Sequence, residues 1–182
     1  MTTRRNIARI RVMGVDPGSI ATGFGVVERG PQEIRHVISG VLRPRAGRPF
    51  AERLYEIFLG LRAVIQQHRP DAMCLEKTYL GASVSTAIRL GEARATALIA
   101  AAEAGMALFE YPPSQVKLAI AGHGRAGKQE VETMVRRTLQ LNDTLKLASD
   151  AADALALALC HIYLSRMPSN SARHAKLAYA RS

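Results

Sequence analysis

Hydrophobic and polar positions follow two rhythms along this chain, and the switches between them mark out the elements. An apolar stretch from about Ile10 closes on Val12-Met13-Gly14-Val15-Asp16 and stops at Pro17-Gly18, which reads as a strand ending on a carboxylate. Gly23–Glu28 and Glu33–Leu42 read as two more strands, and the Gly30-Pro31 link between them is too short for a helix. The first three strands are therefore expected to form antiparallel hairpins. A basic loop from Arg43 to Pro49 follows, and the period then lengthens. Leu54, Ile57, Phe58, Leu61, Val64 and Ile65 mark a helix over 50–68, stopped by Pro70. Asp71–Glu76 is a short buried strand that again ends on a carboxylate. A long Ala-rich helix over 83–103 precedes a fifth strand at 106–111, and Pro112-Pro113-Ser114 opens a short helix through Ile120. Gly122–Gly127 reads as a flexible glycine-rich loop and 128–141 as helical. The last helix, 149–165, is apolar on nearly every face, so it is expected to be buried.

This order of elements predicts an α/β domain over residues 1–166 with a five-stranded mixed sheet flanked by helices. A right-handed crossover sets the fourth strand parallel to the first and beside it, giving the order 3-2-1-4-5. Adjacent strands lie about 5 Å apart, so Asp16 and Glu76 become neighbours at the carboxyl edge where open sheets place their ligands. Val12, Gly14 and Asp16 share one face of their strand, and Ala72, Cys74 and Glu76 share the matching face next door. Those small side chains leave room for a helix to approach.

The approaching helix is expected to be the last one, beginning Ser149-Asp150-Ala151-Ala152-Asp153. Asp150 and Asp153 are three apart and lie toward one face. Taken singly, each acid has a plainer explanation. Asp-Pro-Gly also makes a turn, and acids at a helix start also cap it and answer its dipole. Asp153, however, heads into an apolar helix with no Lys or Arg within reach on that helix before Arg166. Burying a carboxylate there is costly unless a cation or metal pairs with it. Asp16, Glu76, Asp150 and Asp153 are thus expected to meet at one cleft as an all-oxygen donor set. Such a set favours a hard ion, Mg²⁺ or Mn²⁺, and the reaction class it supports is metal-dependent phosphodiester hydrolysis.

Composition narrows the setting. The chain has 182 residues, 48% of them hydrophobic, and no Trp, so its core must be aliphatic. No apolar run approaches the roughly 18 residues of a membrane span, and the charged start is unlike a signal peptide. Cys74 and Cys160 stand apart, without zinc or disulfide spacing, as expected of buried thiols in a reducing cytoplasm. The net charge of +10 points to a polyanionic partner. Much of it sits toward the ends: Arg4, Arg5, Arg9 and Arg11 within residues 1–11, of which 1–9 form a loose basic arm, and Arg166, Arg173, Lys176 and Arg181 within residues 166–182, of which 167–182 form a basic tail expected to be disordered. Removing these eight charges leaves +2, and setting aside four metal-facing acids returns the remainder to +6.

Gly14-Val15-Asp16-Pro17-Gly18 with Thr22-Gly23, then Leu75-Glu76, then Asp150-Ala151-Ala152-Asp153-Ala154-Leu155-Ala156 resembles the RuvC family of bacterial crossover-junction (Holliday junction) endonucleases. The likeness covers roughly residues 12–163. It implies a ribonuclease H-like fold, a homodimer, and two Mg²⁺ per active site held by Asp16, Glu76, Asp150 and Asp153. It also implies symmetric paired nicks across a four-way DNA junction, with 5′-phosphate and 3′-hydroxyl ends, and work beside the RuvA–RuvB branch-migration complex. Tyr79 matches the family's stacking aromatic, and Lys117 and Lys128 match its basic positions around the glycine-rich loop. A stacked base at Tyr79 and phosphate contacts at the two lysines are the corresponding roles. Arg89 and Arg125 are further DNA-binding candidates, with Arg94, Arg136 and Arg137 behind them. Ser83 and Arg89-Leu90-Gly91-Glu92 depart from the family's more usual Asn and Lys-Leu-Gly-Gln, and leave the four acids untouched. Two rival readings remain: a junction-binding module that does not cut, and a single-domain relative of actin-like ATPases.

Overall fold

The computed structural model describes residues 9–77, 84–142 and 144–165. The arm before residue 9, the tail from 166 onward, Tyr79 and Ser83 lie outside the described residues. Strands β1 (Ile10–Asp16), β2 (Thr22–Arg29) and β3 (Ile34–Leu42) come first, followed by α1 (Phe50–His68) and β4 (Ala72–Glu76). Next are α2 (Val84–Glu103), β5 (Ala107–Tyr111), α3 (Pro113–Ala121), α4 (Lys128–Thr138) and α5 (Ser149–Leu164). The sheet runs β3-β2-β1-β4-β5. β1 is antiparallel to β2 and parallel to β4, and β4 is parallel to β5. This is the predicted order.

Side-chain alternation gives the sheet two apolar faces. Met13, Val15, Val26, Met73 and Leu75 pack beneath α1 and α2, meeting Ile57, Leu61 and Ala97. Val12, Val27 and Cys74 face the other way, toward α5, with α3 and α4 outside it. α5 is enclosed as its composition predicts: every residue from Ala154 to Ile162 is buried. Leu155, Leu157, Leu159 and Ile162 each gain roughly 2 kcal/mol from leaving water. The two cysteines are free and buried.

α5 reaches the sheet because glycines clear its path. A Cβ on Gly14 would sit 1.8 Å from the Ala154 carbonyl oxygen, and one on Gly23 would sit 2.0 Å from that of Asp150. Any side chain at either position would push the helix, and its two acids, off the strands.

Three details refine the sequence reading. α4 ends at Thr138, short of the expected 141, because Gln140 turns left-handed (φ 49°) and the Leu141 N–H bonds back to the Arg136 carbonyl at 2.9 Å. Arg11 lies in β1, as the strand from Ile10 implies, and its charge is engaged within the fold: its Nε donates to Glu28 Oε2 at 2.8 Å and its Nη1 to the His68 carbonyl at 2.8 Å. The glycine-rich loop before α4 is held at two points. Ala126 is buried, and His123 Nε2 lies 2.9 Å from Glu130 Oε1.

Candidate active site

Asp16 is the last residue of β1 and pairs with Gly23 of β2, while its predecessor Val15 pairs with Leu75, the residue before Glu76. The two acids therefore end adjacent parallel strands at one edge. α5 crosses above them. Its first turn lies against Gly23 through the Asp150 backbone and Cβ, and one turn later Asp153 faces the strand ends. Asp16, Glu76 and Asp153 line a single cleft of about 440 Å³ together with Lys117 and Lys128.

Asp150 is placed differently from the expectation of one shared cleft. It lines a neighbouring cleft of about 640 Å³ with Gly18, Arg53 and Arg89. Three residues of helix bring a side chain to within about 60° of its starting direction and advance it about 4.5 Å, so the two α5 carboxylates share a face of the helix yet open onto different clefts. Asp150 nevertheless remains close enough for its charge to act on Asp16. No side chain caps α5 at Ala148, so Asp150 sits in the first turn without relieving a helix cap.

The electrostatics bear out the crowding. Burial first, then the charges of Asp153, Glu76 and Asp150, push the Asp16 carboxyl from 3.8 up to about 7, against the pull of Lys128. Glu76 is raised as well, by burial and by Asp153, with Lys128 and Lys117 opposing. Asp153 does find a cation, which corrects the search along its own helix: Lys128 at the start of α4 places Nζ 2.8 Å from Asp153 Oδ2. That hydrogen bond raises the Lys128 pKa. Among the described residues, no three His, Cys, Asp or Glu side chains are drawn close enough to hold a metal ion as they stand. The donor chemistry fits a hard cation all the same: carboxylate oxygens, mutually repelling, with one of them already holding an ammonium group.

Two contacts fix the loop after Asp16. The buried Thr22 hydroxyl donates to the Gly18 carbonyl at 2.8 Å and accepts from the Gly18 N–H at 3.3 Å. Arg53 of α1 donates to the Ser19 carbonyl. Thr22 was visible in the sequence only as part of a motif. Arg53 carried no signal, since one arginine on an exposed helix face resembles any other.

The DNA-binding candidates separate by environment. Lys117 and Lys128 both face the acid cleft. Arg89 is exposed on α2, lines the second cleft, and lies 5.6 Å from the Phe50 ring centre. Arg125 is exposed in the loop before α4, outside the lining of both clefts. Arg94 and Arg136 are engaged within the fold, Arg94 with Glu110 and Arg136 with Glu132. Tyr79 falls outside the described residues.

The sequence model of the family described as "Crossover junction endodeoxyribonuclease RuvC" matches residues 12–161, a span that holds all four acids. The chain belongs to the RuvC family. A RuvC from Chloroflexus aggregans is 46% identical over 154 residues, covering 85% of this chain and 93% of that protein. A RuvC from Alkalilimnicola ehrlichii is 45% identical over 157 residues, covering 86% and 93%. Among solved structures, T. thermophilus RuvC in complex with Holliday junction substrate superposes with a TM-score of 0.80 at 38% identity, covering 87% of this chain and 96% of that one. The chain thus shares the RuvC fold, with its own sheet in the order β3-β2-β1-β4-β5. Among the described residues, no helix is long and apolar enough to cross a membrane.

Proposed function

We propose that this RuvC-family chain is a Mg²⁺-dependent endonuclease that resolves four-way DNA junctions by paired, symmetric nicks. One observation carries the reading: mutually repelling carboxylates, with Asp16 half-buried, stand at the ends of β1 and β4 in a cleft that two lysines also line. A cleft meant only to bind DNA gains nothing from acids that repel phosphate. Acids that hold cations turn that repulsion into attraction.

Asp16 and Glu76 form the floor of the metal site, and Asp150 and Asp153 of α5 both lie close enough for their charges to act on Asp16. Bound at these oxygens, a pair of Mg²⁺ ions would activate water, steady the leaving oxygen and hold the phosphodiester in line, with Mn²⁺ as a substitute. Lys117 and Lys128 attract the phosphate that enters, and Lys128 must leave Asp153 when a metal takes its oxygen. Arg89 extends the basic track along the second cleft. Arg125 reaches the DNA from the loop before α4, and Tyr79 stacks on an unpaired base at the crossover. Residues 1–166 act as one nuclease domain, with 167–182 as a separate basic tail.

A nearly two-fold substrate is matched by a two-fold enzyme. Ile88, Glu92, Ala95 and Ile99 form one stripe along α2, and both isoleucines are 57% exposed. With Tyr55 and Phe58 of α1 the stripe borders an apolar groove, the surface a second copy would cover. Cytoplasmic action beside the RuvA–RuvB complex completes the reading.

The test is nicking of a synthetic four-way junction and of a linear duplex, each with and without Mg²⁺. Metal-dependent cuts at opposed positions in the junction alone are expected. Binding without cutting at any Mg²⁺ concentration would overturn the nuclease reading.

A further inference from the structure

Glu76 is the most weakly supported of the two strand-end acids. Asp16 has a paired neighbour, Gly23, on β2 and a loop fixed by Thr22 and Arg53. Glu76 ends β4 one residue beyond its last pairing with β1, and its side chain is exposed. Its ladder partner is Tyr111 on β5 alone, and the next N–H, that of Lys77, bonds the Tyr111 carbonyl at 2.8 Å. A strand end held on one side frays readily.

The structure supplies a second hold from the opposite face of the sheet. Arg94 Nη1, on α2, donates to the Glu76 carbonyl oxygen at 2.7 Å. The same guanidinium reaches Glu110 Oε1 through Nη2. Glu110 pairs with Leu75 across β4 and β5, so it faces α2 as Leu75 does. The Arg94 side chain is only 14% exposed, which takes it out of the set of surface arginines that a DNA backbone meets. One planar fork therefore ties α2, β5 and the main chain of Glu76 together, while the Glu76 carboxylate stays free on the α5 side.

We propose that Arg94, braced by Glu110, is a positioning residue that holds Glu76 at the metal site by its backbone. The proposal rests on the metal-dependent reading of the acid cleft. Lysine at this position keeps the charge, but a single ammonium cannot reproduce two divergent N–H bonds in the plane of the fork. Arg94→Lys therefore separates positioning from charge.

Mn²⁺ affinity of the DNA-free protein, followed by electron paramagnetic resonance titration, reads the site without catalysis. Arg94→Lys is expected to weaken Mn²⁺ binding by about tenfold, the scale seen when a partner that orients a metal ligand is lost. The metal concentration for half-maximal junction nicking should rise in step. Metal-free junction affinity and melting temperature should stay at wild-type values, as they should in Arg62→Lys, a control for the exposed α2 ion pair with Glu103. Wild-type Mn²⁺ affinity in Arg94→Lys overturns the proposal, and so does lost junction binding at unchanged Mn²⁺ affinity, which would make Arg94 a DNA contact. Should Arg94→Lys fail to fold, Glu110→Gln takes its place: a weakening of Mn²⁺ binding smaller than about tenfold supports the brace, and none overturns it. If the wild type binds no Mn²⁺, the metal-site reading itself falls and takes this one with it. If the wild type binds Mn²⁺ and the variants match it, only the positioning role is lost.

Discussion

At the scale of single residues, the acid cleft stores tension that a bound cation would relieve. Asp16 is ionised only against burial and three like charges, so replacing it with a neutral isostere removes a cost from the metal-free fold. Asp16→Asn is expected to abolish nicking while raising metal-free stability by about 1 kcal/mol or more, checked by urea unfolding in EDTA. Lower stability in that variant would deny the repulsion. His161 behaves in the opposite sense, far along α5. It is buried, its Nδ1 lies 2.6 Å from the Tyr111 hydroxyl, and burial with the nearby Arg29 charge lowers its pKa to about 4. The folded state therefore keeps it neutral, while the unfolded chain takes up a proton near pH 6.5. Its contribution is intact above pH 6.5 and is lost as pH falls from there to 4, by up to about 3 kcal/mol. His161→Gln should flatten that part of the stability profile relative to wild type. An unchanged slope would contradict the buried neutral imidazole.

At the scale of elements, the sheet was readable because its strands end on carboxylates and turn residues, and because the helical stretches keep a clean 3.6 period. α5 was legible for the same reason as it is buried: Ala154 to Ile162 offers no polar face. What the sequence hid was chiefly long-range. Lys128 reaches Asp153 from another helix, and Arg94 grips Glu76 from across the sheet. Neither is visible along a single element. The step of about 4.5 Å from Asp150 to Asp153 follows from helical geometry, but which cleft each one lines is known only after α5 has been placed over Gly23. That placement yields a sharp expectation for Gly14, whose Cβ would collide with the Ala154 carbonyl. Gly14→Ala should cost about 3 kcal/mol or more and cut nicking through displacement of α5. Wild-type stability would mean that α5 does not press on β1.

At the scale of the whole molecule, basic and apolar surfaces divide the labour. Lys117 and Lys128 lie at the cleft, and each phosphate contact they make releases counterions. Junction affinity measured against salt should therefore lose about one unit of slope for each lysine changed to alanine; an unaltered slope would remove them from the interface. In the proposed assembly a second copy covers the α2 stripe, so Ile99→Glu is expected to convert a dimer to monomers in sedimentation analysis while leaving the fold intact; an unchanged sedimentation profile would remove the stripe from the interface. Everything in the proposed chemistry finally depends on cations meeting at the ends of β1 and β4. The most direct measurement is anomalous scattering from crystals of the wild-type protein soaked in Mn²⁺. The expected map places manganese against the carboxylates of Asp16 and Glu76, with Lys128 withdrawn from Asp153. A map with no manganese at those carboxylates, and the Lys128–Asp153 pair still closed at saturating metal, would contradict it.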